Sequence, residues 1–146
     1  MAFVVRWLHV TSVAFLFGGA LLLFILFLVS KRRAGDRQTM LDLMQAYEWG
    51  SWVAVGLIVM TGAGNLGHLG DALPDPNSEW GQKLTIKLGM VGVFLVFSAV
   101  RSLGVTLVQL RAEAQGSLPG ALQAMYALTA VFVAAILGVA VALAHF

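Results

Sequence analysis

Three histidines and one deeply placed lysine are the side chains of this sequence best suited to chemistry. His9 stands a turn or two inside one end of a long apolar stretch, and Lys87 lies seven residues past Trp80 in another. At 1.5 Å per residue, Lys87 is roughly 10 Å into its helix. His68 and His145 close the ends of two further apolar stretches. Ionisable groups in hydrocarbon are expensive and mark functional sites by default. Four such groups, each from a separate stretch, share one depth: the imidazoles can ligate a metal, and the ammonium can meet an anion. Other readings stand beside this one. His68 and His145 also suit interfacial positions at helix ends, and Lys87 can snorkel outward along its stem. Arg101, roughly 31 Å along the helix from Trp80, belongs near the opposite interface, either snorkelling or paired with Glu48.

The elements that position these residues follow from composition. The chain has 146 residues, 60% of them apolar and 11% charged, with mean hydropathy +0.89. Ordinary soluble domains carry about 25% charge. A soluble globular domain and a disordered chain are excluded. A net charge of +2 without a basic face excludes a dedicated nucleic-acid binder. There is no cysteine, so disulfides, thiolate metal sites and a cysteine nucleophile are absent too. A bilayer crossing takes about 20 mostly apolar residues, and four stretches supply them: about 2–30, 49–69, 80–110 and 120–146. The expected fold class is all-α integral membrane, a four-transmembrane-helix bundle forming a single domain over 1–146. The first stretch is too long for a signal-peptide core and is followed by Lys31-Arg32-Arg33, so it reads as a retained anchor.

Orientation follows from the connections. Lys31, Arg32, Arg33 and Arg37 separate the first two spans; Asp71, Asp75 and Glu79 separate the second and third. The positive-inside rule then puts the basic connection in the cytoplasm and both termini outside, in a cell inner (plasma) membrane. Arg6 sits against the rule. Pro74, Pro76 and Asn77, and the run 116–120, break helix between spans. Residues 36–47 mix Met40, Leu41, Met44 and Tyr47 with polar residues, which extends the second span inward by a turn or two.

Helical spacing puts His9, Ser12, Leu16 and Gly19 on one stripe, and Lys87, Met90, Phe94 and Arg101 on another. Gly18, Gly19 and Gly64 are small enough to admit a neighbouring helix or a flat ligand. The run from Gly62 to Gly67 matches G-x-G-x-x-G, but that fingerprint needs a preceding strand, so the match is chance. No nucleophile triad, carboxylate pair or phosphate loop is present. Two ligands remain. Haem b needs one or two imidazoles, an apolar slot and a cation for its propionates: His9 with His68 or His145 for the iron, Lys87 or Lys83 for the propionates, and Gly19, Gly64 and Phe15, Phe17, Phe94 and Phe97 for the slot. Copper favours soft thioethers, and Met60, Met90 and Met125 lie singly in the spans.

Trp7-Leu8-His9-Val10 followed by Gly18-Gly19 resembles the first helix of the copper-resistance D (CopD-like) membrane family. The segment from Glu79 through Trp80-Gly81 to Lys87-Leu88 resembles its aromatic-Gly-x-x-Leu-x-x-Lys-Leu segment, and Thr61-Gly62 fits as well. The same helix-one histidine and helix-three lysine are similar to those of the related small bacterial haem-containing protoporphyrinogen oxidase. The resemblance implies haem ligation or copper handling for His9 and an essential cation at Lys87. It implies no role for His68 or His145. Leu16 stands where the family has Trp, a departure that bears on oxidase activity rather than on the fold.

The leading expectation is therefore a membrane protein binding b-type haem near the outer face, for electron transfer or haem-linked redox chemistry. It would act as a homo-oligomer or with a redox partner, and an oxidoreductase activity stays open. Copper transport or periplasmic copper delivery is the alternative. A structural subunit of a larger membrane complex is the third reading, suggested by the uncharged fourth span.

Overall fold

The computed structural model describes residues 2–30, 37–67, 75, 77–111 and 120–144. Among them lie four helices: α1 (Ala2–Ser30), α2 (Arg37–Gly67), α3 (Glu79–Leu110) and α4 (Gly120–Ala144). The basic cluster 31–33, the prolines at 74 and 76, His68 and His145 lie outside the described residues. Three helices are long and apolar enough to cross a bilayer, over Phe3–Ser30, Glu79–Leu110 and Gly120–Ala142. The expectation was four, and α2 falls short of that measure. Its first third is polar, with Arg37, Gln38, Asp42, Gln45 and Glu48, and Asn65 follows near its end. The amphipathic extension expected before residue 49 is thus present and runs longer than a turn or two, as one continuous helix from Arg37.

Capping starts α3 where the sequence breaks helix. The Asp75 carboxylate accepts from Asn77 N–H at 2.9 Å, and the Ser78 hydroxyl, at the N-cap, accepts from Gly81 N–H at 3.0 Å. Glu79 in the first turn complements the helix dipole.

The helices pack side by side in chain order, with α4 closing onto α1. Neighbours are antiparallel: His9 meets Thr61 while Leu16 meets Tyr47, and Glu48 meets Arg101 while Leu41 meets Gln109. The α2–α3 seam is the sparsest. Two buried apolar clusters fill the interior. Ala20, Leu23, Phe27, Met40, Leu41, Met44, Tyr47, Val105, Leu122 and Tyr126 pack the half around the start of α2. Leu16, Ala54, Val55, Phe94 and Val133 pack the middle. Between lipid-facing helices the hydrophobic effect gives little drive, so close approach at small residues matters more. Two glycines provide it between α1 and α2. A Cβ on Gly19 would lie 2.5 Å from Tyr47 Cε2, and one on Gly50 would lie 2.6 Å from Phe15 Cζ. The Phe15 and Tyr47 rings stack between them, with centroids 5.9 Å apart.

Arg101 is wholly buried, so the snorkelling alternative is corrected and the pairing with Glu48 stands. Its Nε donates to Glu48 Oε1 at 2.8 Å and its Nη2 to Oε2 at 3.1 Å. Nη1 donates to Thr129 Oγ1 at 2.7 Å, and Nη2 also reaches Ser51 Oγ at 3.3 Å. The Tyr126 hydroxyl donates to Glu48 Oε1 at 2.9 Å, and the Ser102 hydroxyl donates to Oε2. The guanidinium lies 5.2 Å from the Tyr47 ring centroid and 5.4 Å from that of Tyr126. The uncharged α4 is therefore no lipid-only helix: Tyr126 and Thr129 face the interior and complete this network.

Two substitutions test the packing. Gly19→Leu should destabilise the protein by about 1–3 kcal/mol through overpacking against Tyr47. Gly18→Leu, with nothing within 4 Å of its Cβ position, should change little. Thermal unfolding in detergent compares them. Arg101→Met should cost about 3–5 kcal/mol, because it strands the Glu48 carboxylate. Adding Glu48→Met should recover part of that loss in the same measurement.

Candidate functional site

The Arg101 network is chemically saturated. Both Glu48 oxygens accept two donors each, and four helix-borne hydroxyls complete the set. With its charge compensated and its oxygens occupied, it offers no open position to a ligand. The polar layer at the other end of the bundle is different.

There, α1 brings His9 half-buried against α2. Its Nδ1 lies 2.8 Å from Thr61 Oγ1. A Cβ on Gly62 would lie 3.9 Å from His9 Cε1, so the edge of the imidazole rests over that glycine. The stripe below His9 faces inward as helical spacing requires: Ser12 and Leu16 are buried, and Gly19 receives the Tyr47 ring. From α3, Lys87 is half-buried, with its ammonium within electrostatic reach of His9. Phe94 and Arg101, on its stripe, are buried, and Met90 one turn below is half-buried. Three helices thus contribute to one layer.

Below this layer the interior is apolar. A void of about 50 Å³ is lined by Val13, Leu16, Val55, Ile58, Phe94 and Val133 among others. Beyond it, the Ser98 hydroxyl is buried without a hydrogen-bond partner among the described residues, and then the Arg101 network begins. Along the bundle axis the order is a polar layer, an apolar septum and a charged layer.

The other residues expected at a site are placed as follows. Lys83 pairs with Glu79 at 2.8 Å across one helical turn on the surface. The face of Gly19 expected to admit a flat ligand is filled by Tyr47. Phe94 is buried, and it and half-buried Phe97 pack against half-buried Phe132. Gly64 lies within α2. His68 and His145 lie outside the described residues. Of the three span methionines, Met60 is 73% exposed on the outside of α2 and Met125 packs beside the Arg101-end core, which leaves Met90 as the inward thioether. Among the described residues no group of three or more His, Cys, Asp or Glu side chains forms a metal cage.

Reading from the sequence missed Thr61 as the partner of His9, and Ser51, Ser102, Tyr126 and Thr129 as the partners of Glu48 and Arg101. A signal was available for two of them: Tyr126 and Thr129 are three residues apart on an otherwise apolar helix, which puts them on one face.

The family model for copper resistance protein D, CopD, matches residues 41–143. No curated protein and no solved structure gives a match. The match takes in most of α2 and all of α3, with nearly all of α4. It links the chain to copper resistance, and the haem oxidase relation is not shown by it. With three helices apolar enough to cross a bilayer, this chain is a membrane protein and belongs to the copper resistance protein D family.

Proposed function

We propose that the protein handles copper at the outer face of the inner membrane, taking up the ion as cargo at the His9 layer for transport or periplasmic delivery. The observation that carries this is His9 itself. A half-buried imidazole in a CopD-family chain is anchored through one ring nitrogen, leaving the other for a metal. Imidazole and thioether together suit copper, and Met90 stands on the inward stripe of α3, across the bundle from α1.

Haem b is less well supported by this arrangement, because the glycine face of α1 expected to admit the ring holds Tyr47. Lys87, within electrostatic reach of His9, is the feature that favours an anionic ligand such as a propionate, and it keeps haem as the second reading.

All four helices cross the membrane in this proposal. Thr61 and Tyr47 of α2 bond to His9 and Leu16 of α1, so α2 travels alongside a helix that is itself long enough to span. The basic connection around residues 31–33 and Arg37 lies in the cytoplasm, both termini lie outside, and the acidic stretch from Asp71 to Glu79 faces the copper-bearing side. The protein works with a partner that supplies or receives the ion, or as a homo-oligomer.

Protein purified after expression with both copper and haem supplied should carry copper and show no Soret band. His9→Ala should lose most of the copper, measured by elemental analysis. Iron and a Soret band in place of copper would replace this reading with the haem one. Full copper retention by His9→Ala would remove His9 from the site.

A further inference from the structure

We propose that Thr61 is a positioning residue that holds His9 in the Nδ1–H tautomer and leaves Nε2 as an unprotonated donor. The inference rests on the reading of His9 as a metal ligand, and it adds the group that sets the ring's state.

The argument is a count of one proton. Thr61 is buried, and its Oγ1 lies 2.6 Å from the Leu57 carbonyl oxygen one turn earlier, with Ile58 O at 3.2 Å. Two oxygens that close need a hydrogen between them. A threonine hydroxyl has only one hydrogen to give, and here it goes to Leu57. Toward His9, at 2.8 Å, Oγ1 can then only accept. His9 Nδ1 must be the donor, and in the neutral ring the remaining nitrogen, Nε2, carries the lone pair. Histidine free in water prefers the opposite tautomer, so this arrangement is imposed by the fold.

The chemistry suits a ligand position. Metal-bound histidines almost always donate their second ring N–H to a fixed acceptor, which sets both tautomer and ring orientation. A threonine bonding back to its own helix is such an acceptor, because its proton is already committed. The α1–α2 contact therefore does two things at this level: it joins the helices and prepares a nitrogen for coordination.

The test uses the full chain in detergent or nanodiscs, with ¹⁵N-labelled histidine and no metal. The His9 signals are assigned by their loss in His9→Ala. Wild type should show a protonated Nδ1 and a bare Nε2. Thr61→Val, which keeps the side-chain shape and removes the hydroxyl, should lose that preference, and Thr61→Ser should keep it. A protonated Nε2 in the wild type, a doubly protonated ring, or an unchanged spectrum in Thr61→Val would overturn the inference. If Thr61→Val does not fold, the wild-type and Thr61→Ser spectra still decide the tautomer. Cu(I) affinity, read by competition with a chromophoric chelator, should fall about 10–100-fold in Thr61→Val, as for other supporting groups of metal ligands, and stay near wild type in Thr61→Ser. Wild-type protein that binds no Cu(I) but shows the Nδ1–H signature would sink the copper reading and leave this inference standing.

Discussion

The bundle depends on one buried ion pair. Arg101 and Glu48 are both almost completely removed from solvent, and neither could stay there alone. Charges in a low-dielectric interior are tolerated only when paired and fully hydrogen-bonded. Here the bidentate pair is completed by hydroxyls from α2, α3 and α4. The pair spans the α2–α3 seam, which otherwise has the sparsest contact in the bundle. It therefore fixes the rotation and depth of both helices where they meet. The Tyr47 ring links this network to α1. It lies beside the guanidinium and fills the space over Gly19, and its hydroxyl donates to the Leu16 carbonyl at 2.9 Å.

With the charged end saturated, the proposed binding falls to the His9 end. The network has no open acceptor, and the septum above it is apolar. The His9 layer, in contrast, has an imidazole held by one nitrogen and an ammonium nearby. The same division explains why α2 is the least apolar helix. It carries Glu48 and Ser51 for one layer and Thr61 and Gly62 for the other, and its first third adds Gln38 and Asp42, which are exposed and bond to each other.

Much of the fold was legible in the chain. The bounds of α1, α3 and α4 follow from runs of apolar residues closed by turn formers, because bilayer-crossing length and composition are local properties. The inward stripes through His9 and through Lys87 were also legible, since helical periodicity is fixed once the helix is. The pairing of Glu48 with Arg101 was one of two readings, and burial decided between them. Less was legible at the site. His9 and Lys87 could be named as polar residues at similar depth, but Gly19 could not be known to hold a tyrosine ring instead of a ligand.

The sequence by itself determined an all-helical membrane chain without cysteine chemistry, with a histidine and a lysine near one end and an arginine near the other. Those facts depend on residue type and on distance along the chain. Only the tertiary structure decided that His9 bonds to Thr61, that four hydroxyls surround the Arg101–Glu48 pair, and that a tyrosine ring fills the space over Gly19. Each of these depends on how helices are rotated and offset against one another. That rotation is set by side chains from several helices fitting together at once, and no stretch of sequence read alone contains it.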